Sequence, residues 1–230
     1  MQETQETPQD KPPVRILLAD DEAMIRSGVR AILARHPGMD VVAEAADGQA
    51  AVELARVHRP DVALLDIQMP RMDGLDAAAQ MYRDRPGAAV IMLTTFGEDK
   101  FISRALHEGA SGFLLKADDP RELLNGVLAV AAGGAYLSPH VAARVIGVLR
   151  DGPAARETPS PQVVDRLTKR ELDVLALLGA GLSNAEIGAE LFLVEGTVKA
   201  HVSAILGKLG VRNRVEAAIA AHEAGVVRRG

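Results

Sequence analysis

The chain has no cysteine among its 230 residues. Disulfides, thiolate catalysis and cysteine-ligated zinc are therefore excluded. Long apolar runs are missing too. Hydrophobic residues make up 48% of the chain, yet no uninterrupted stretch approaches the ~20 residues a bilayer crossing needs. The opening Met1-Gln2-Glu3-Thr4-Gln5-Glu6 has no charged-then-apolar signal character. A cytoplasmic protein without membrane association is expected. There is no strong basic surplus, since the net charge is −5. Residues 1–160 hold 17 Lys and Arg against 23 Asp and Glu, a net of −6; residues 161–230 hold 9 against 8, a net of +1. Charge alone does not mark a nucleic-acid partner. No internal repeat is visible.

What is present divides the chain into four parts. Residues 1–13 are polar and carry Pro8, Pro12 and Pro13, which predicts a disordered tail. Over residues 14–135 strand and helix patterns alternate. Strands are expected at 14–19, 40–46, 62–66, 88–94 and 112–115, and helices at 23–35, 48–57, 75–83, 98–107 and 120–132. Asp119-Pro120 marks the last helix with an N-cap and a proline in its first turn. Five strands alternating with five helices predict an α/β domain with a doubly wound, five-stranded parallel sheet. Residues 136–163 form a linker, with one short helix expected at 141–149 and Gly152, Pro153, Pro159 and Pro161 beyond it. Residues 164–230 contain no strand signal. Thr168 with Glu171, and Ser183 with Glu186, are two capping boxes. Two further helices, at about 196–209 and 213–224, complete a small all-α four-helix domain ended by glycines.

The first domain is centred on Val62-Ala63-Leu64-Leu65-Asp66-Ile67-Gln68-Met69-Pro70. An apolar run ending in a carboxylate is a buried parallel strand delivering Asp66 to the sheet's carboxyl edge, where open α/β sheets do their chemistry. Asp20 and Asp21 end the first strand, a neighbour of the third in the doubly wound order. Three converging carboxylates are costly without a cation. An oxygen-seeking octahedral ion that keeps some waters, Mg²⁺, fits best. An Asp could then act as nucleophile toward a phosphoryl group. Thr94 and Lys116 close the fourth and fifth strands, offering a hydroxyl and an ammonium to phosphoryl oxygens. Taken singly, each of these five residues reads as a cap, a strand-end polar group or a solvated charge. Their coincidence at one end of one sheet is what points to chemistry.

Asp20-Asp21, Asp66 in Leu64-Leu65-Asp66-Ile67-Gln68-Met69-Pro70, Met72-Asp73-Gly74, Thr94 and Gly112-Phe113-Leu114-Leu115-Lys116 resemble the flavodoxin-like receiver domain of two-component response regulators, over about residues 14–132. The resemblance implies that Asp66 accepts the phosphoryl group, and that Asp21 and Asp66 ligate Mg²⁺ directly. Asp20 would help through water, and the Gln68 carbonyl would be a further ligand. It implies a switch in which the Thr94 hydroxyl moves toward the phosphoryl group and the Phe113 ring follows inward. Phe113 stands where tyrosine is common, so no ring hydroxyl is available.

In the third C-terminal helix Val198, Val202, Ile205, Leu206 and Leu209 share a core face, and Gly196, Ala200, Ser203 and Gly207 lie opposite, with Lys199 on the flank. A face of small residues suits the major groove of DNA, or equally solvent or another helix. Leu167-Thr168-Lys169-Arg170-Glu171, Gly181 to Ile187, Gly196-Thr197-Val198-Lys199-Ala200-His201-Val202 and Val211-Arg212-Asn213-Arg214 resemble the LuxR-type helix-turn-helix, and with the receiver the whole chain is similar to the NarL/FixJ family. The resemblance implies a recognition helix from about Gly196, with Thr197, Lys199, Ala200, His201, Ser203, Lys208 and Arg212 as the DNA-contacting set. The last helix would be a dimer contact. Val194 stands where a capping Ser is usual, a loss of about 1 kcal/mol at the helix start. Ser203 replaces a Lys found in some relatives.

The expected function is a transcriptional regulator, not an enzyme. A sensor histidine kinase phosphorylates Asp66, and the shifted receiver releases or dimerises the DNA-binding domain for promoter binding as a phosphorylation-promoted homodimer. A phosphate-ester hydrolase using an aspartyl intermediate would need a general acid where Gln68 stands. A DNA-binding regulator that works without phosphate, its receiver only a dimerisation scaffold, is the remaining alternative.

Overall fold

The computed structural model describes residues 12–85, 89–95, 104–105, 108–138, 141, 166–211 and 213–227. Residues 1–11 of the expected tail, most of the expected helices at 98–107 and 141–149, the Gly/Pro linker and Arg212 lie outside the described residues.

The elements are β1 (Val14–Ala19), α1 (Ala23–Leu33), β2 (Met39–Ala45), α2 (Gly48–His58), β3 (Val62–Asp66), α3 (Gly74–Asp84), β4 (Ala89–Thr94), β5 (Gly112–Leu115), α4 (Pro120–Ala131) and β6 (Tyr136–Leu137), followed by α5 (Lys169–Gly179), α6 (Asn184–Leu191), α7 (Glu195–Leu209) and α8 (Arg214–Glu223). The sheet is parallel throughout, in the order β2-β1-β3-β4-β5-β6. Helix crossovers between parallel strands enforce this winding.

The sheet has six strands where the sequence predicts five. The extra strand, β6, is two residues long, too short to carry a period. Its pairing comes from the chain turning back at Gly133-Gly134. The Tyr136 N–H donates to Ser111 O at 3.1 Å and the Ser138 N–H to Phe113 O at 3.1 Å.

Strand alternation divides the core into two layers. Leu17, Ala19, Ala63, Leu65, Val90, Met92 and Phe113 pack with Ala51, Val52, Leu75, Ala78 and Met81 of α2 and α3. Ile16, Leu18, Val62, Leu64, Ile91, Leu93 and Leu114 pack with Leu33, Leu123, Val127 and Val130 of α1 and α4. β3 is buried along its whole length, as a central strand covered on both faces must be.

The C-terminal helices close on Val174, Leu175, Leu178, Ile187, Val198, Ile205, Leu206 and Leu209. Both expected capping boxes are formed, Thr168 with Glu171 and Ser183 with Glu186. Gly210 ends α7 in the left-handed conformation at φ 69°, which glycine adopts without steric cost. Among the described residues no helix is long and apolar enough to cross a membrane.

The two domains touch where α4 ends. The Asn184 N–H donates to Ala132 O at 3.3 Å. The buried Arg214 guanidinium donates to Gly133 O, Leu182 O and, at 3.0 Å, Asn184 Oδ1. Beside this contact a cleft of about 270 Å³ separates Tyr82, Arg85 and Ser111 of the sheet domain from Lys199, Val202 and Ser203 of α7.

Gly74 is where fold and site meet. Its N–H donates to Ile67 O at 2.9 Å, and a methyl group there would overlap the Asp66 carbonyl. Only glycine lets α3 start this close to the end of β3. Gly74→Ala is expected to destabilise the fold by about 3 kcal/mol or more, read as a lowered midpoint in denaturant unfolding. A midpoint within error of wild type would show that the loop yields freely.

Candidate functional site

Four adjacent strands bring the predicted residues together. Asp20 follows β1, Asp66 ends β3, Thr94 ends β4 and Lys116 follows β5. All four strands run the same way, so these residues share the carboxyl edge. Carboxylate oxygens of Asp20, Asp21 and Asp66 lie within 4.8 Å of one another. Asp20 and Asp66 are buried and Asp21 is exposed, so the cluster has a dry floor and one open side. Thr94 is buried beside it. Gln68 is the exposed residue between buried Ile67 and Met69 in the turn leaving β3.

The Lys116 Nζ stands 2.8 Å from Asp20 Oδ2 and 3.0 Å from Asp66 Oδ2, with Glu22 Oε1 farther off at 3.6 Å. Burial pushes the Asp66 carboxyl above its ordinary value; the Lys116 hydrogen bond and charge oppose the shift, and the Asp20 charge adds to it. Burial acting alone would lower the Lys116 ammonium, but the bonds and charges of Asp20 and Asp66 outweigh it and the pKa rises. Lys116 therefore stays protonated, and one cation faces three acids. Asp20 Oδ1 accepts the Glu22 N–H at 2.9 Å. Asp20 Oδ2 is buried and has the Lys116 ammonium at 2.8 Å. Buried carboxylate oxygens, an all-oxygen donor set and residual negative charge fit a hard divalent cation.

Phe113, the expected switch ring, is 1% exposed and packed in the core beside Met92; a ring with no hydroxyl gains nothing from water, which favours this inward position. Arg26 was not among the sequence-predicted residues, yet its guanidinium donates to the Asp20 carbonyl at 2.6 Å. In sequence it is one arginine on a helix, and nothing there points its side chain back at the strand end.

On α7, Val198, Ile205, Leu206 and Leu209 are buried, while Gly196, Lys199, Ala200, Ser203 and Gly207 are exposed. The small-residue face is therefore the outward one. Thr197 and His201 are half-buried at its margin. Lys199 reaches back to Glu195 at 3.8 Å, a pair worth little at this exposure. Val194 is the N-cap and makes no side-chain cap bond, as its apolar side chain dictates. Lys208 is exposed, and its ammonium lies 2.7 and 2.6 Å from the two carboxylate oxygens of buried Glu171, so it also ties α7 to α5. The last helix packs on α5, with Ala217, Ala220 and Ala221 in the core, and carries Arg214 into the domain contact.

Comparison with known proteins gives two matches along the chain. Residues 16–128 match the response regulator receiver domain and residues 165–221 the luxR family of bacterial regulatory proteins. The chain is 39% identical over 216 residues to the transcriptional regulatory protein LnrK of Bacillus subtilis (strain 168), covering 93% of this chain and 98% of that protein. It is 36% identical over 211 residues to the nitrate/nitrite response regulator protein NarL of Escherichia coli (strain K12), covering 92% and 96%. Among solved structures, the response regulator ChrA of a heme-sensing two-component system aligns at a TM-score of 0.52 and 34% identity, over 94% of this chain and all of that one (100%). A LuxR-family two-component response regulator from Aurantimonas sp. SI85-9A1 aligns at 0.58 and 33%, over 60% of this chain and 99% of that one.

The Glu171 pair has a pH signature. The Lys208 hydrogen bond, then the Thr168 N–H, hold the Glu171 carboxyl down at about 2, against 4.5 ordinarily. A depressed acid stabilises the fold above its unfolded value and loses that contribution as pH falls through the folded one. The C-terminal domain is expected to lose stability between about pH 4.5 and about pH 2, and Glu171→Gln should flatten that part of the profile. Circular dichroism melts across the window check this. Parallel profiles for both proteins would contradict it.

Proposed function

Because the chain belongs to the response regulators that join a receiver domain to a luxR-type DNA-binding domain, we propose that it is a phosphorylation-controlled transcription regulator with Asp66 as phosphoacceptor. The observation that carries this reading is the buried Asp66 carboxylate at a strand end, with Asp20, Asp21 and Lys116 all within contact range.

In the proposed reaction an Asp66 oxygen attacks the phosphorus of a phosphohistidine on a sensor kinase. An O–P bond forms, the N–P bond breaks, and the imidazole leaves and takes a proton from solvent. Lys116 remains charged and meets one phosphoryl oxygen, and the Thr94 hydroxyl donates to another. Asp20, Asp21 and Asp66 would hold a Mg²⁺ ion, with the Gln68 carbonyl completing the donor set; when bound, the ion offsets the charge that builds on the phosphoryl oxygens. The chain is a stoichiometric acceptor in this scheme, not an enzyme. It operates in the cytoplasm with a histidine kinase and promoter DNA as partners.

The outward face of α7 supplies the DNA contacts. Lys199, Ala200 and Ser203 face bases, and Thr197, His201 and Lys208 lie near phosphates, with Lys208 also paired to Glu171. Lys199 and Ser203 also line the cleft against the receiver, so the closed arrangement obstructs the duplex. Phosphoryl-Asp66 shifts the population toward an open form that pairs with a second copy on two half-sites.

Intact-mass spectrometry after acetyl phosphate and Mg²⁺ tests the acceptor. One phosphoryl adduct is expected on wild type and none on Asp66→Asn; equal adducts on both would remove Asp66 from the role. Phosphorylated wild type is then expected to bind promoter DNA more tightly than Asp66→Asn, and equal binding would leave a regulator that works without phosphate. Lys199→Ala should weaken DNA binding roughly tenfold at unchanged phosphoryl uptake, measured by fluorescence anisotropy; unchanged affinity would strike it from the contacts.

A further inference from the structure

We infer that Arg26 is a positioning residue for the divalent cation of the acidic cluster, an inference that rests on the phosphoacceptor reading. The helix α1 begins directly after the acidic pair, and its N-cap residue Glu22 makes no side-chain bond to the amides of the first turn. A short polar side chain at that place would ordinarily fix the turn. Here the turn is held from inside the helix. One terminal nitrogen of Arg26 donates to the Asp20 carbonyl at 2.6 Å, and Nε stands 3.5 Å from Glu44 Oε2. The other Glu44 oxygen is 3.1 Å from Arg30. Glu44 lies near the end of β2, paired in register with Leu18 of β1. One guanidinium therefore ties the end of β1 and the end of β2 to the first turns of α1. A planar fork with donors on several edges can serve two acceptors in fixed directions.

The consequence falls on Asp21. The Asp20 carbonyl and the Asp21 N–H belong to one rigid peptide plane. Fixing that oxygen orients the plane and sets the direction in which the Asp21 side chain leaves the turn. The other two carboxylates have their own anchors in Lys116 and, for Asp20, the Glu22 N–H. Asp21 is the exposed member of the three, and mutual repulsion drives such a group outward. Arg26 carries the wrong charge to be a ligand, and it acts only through the peptide it holds.

The test uses full-length wild type, Arg26→Gln, Arg26→Lys and Glu44→Ala, titrated with Mg²⁺ alone by isothermal calorimetry with no phosphodonor. Arg26→Gln is expected to weaken Mg²⁺ binding roughly 10-fold, the scale on which residues that orient metal ligands act. Arg26→Lys should fall between it and wild type, because an ammonium is a point charge without the fork. Glu44→Ala should weaken binding less, since the Asp20 bond survives. A merely structural role would lower the unfolding midpoint and leave the binding constant, measured well below that midpoint, unchanged. A folded Arg26→Gln with the wild-type constant overturns the inference. If that variant does not fold, a wild-type constant in Glu44→Ala overturns it instead. A wild type that binds no Mg²⁺ overturns the phosphoacceptor reading itself, and the two failures are thereby distinguished.

Discussion

Three converging carboxylates, two of them held by one ammonium, at the end of a buried sheet set the terms for the rest of the molecule. Asp20 and Asp66 are withdrawn from water, and Lys116 is the charge placed between them. Like charges in a low-dielectric pocket store repulsion that a cation or a change of protonation relieves. That tension is why the site's geometry has to be enforced from outside. The register of β1, β3 and β5 does most of the enforcing. Gly74 lets α3 begin against Asp66, and the Arg26 fork ties down the turn that carries Asp20 and Asp21.

Much of this was legible in the sequence, for a physical reason. A strand buried on both faces must be apolar until it emerges, so Asp66 announced both the end of β3 and the functional edge. Capping boxes are local, and both formed as written. The missing cap at Val194 was equally local and is equally real. What escaped depends on residues far apart in the chain. Glu171 and Lys208 are 37 positions apart and meet only once the helices pack. From sequence, Lys208 was another basic residue on a DNA-facing helix. β6 forms because a turn returns the chain to the edge of β5, not because two residues prefer a strand. Phe113 lies on β5 as the strand pattern predicts, and its burial against Met92 follows from core packing that the pattern does not describe.

The contact between the domains joins small pieces of backbone to one large side chain. Arg214 is buried, and burial lowers its guanidinium to about 10. It is satisfied by carbonyls from both sides of the boundary and by Asn184. A cation held mainly by peptide oxygens gives a directed but separable contact, since each acceptor can be returned to water when the domains part. The Gly133-Gly134 turn that Arg214 grips leads into β6, whose neighbour β5 carries Phe113.

The two-residue strand β6 has a consequence for how copies of this chain can assemble. An open sheet has two rims, and an unpaired rim recruits strands from other molecules. β6 occupies the β5 rim with the chain's own backbone. At the other rim, β2 carries Asp40 and Glu44, charges that make a poor template for a stranger's strand. With one rim capped and the other charged, sheet-to-sheet joining between molecules is disfavoured. Any pairing of two copies would fall to helical surfaces, which can part again without unravelling a ladder of hydrogen bonds.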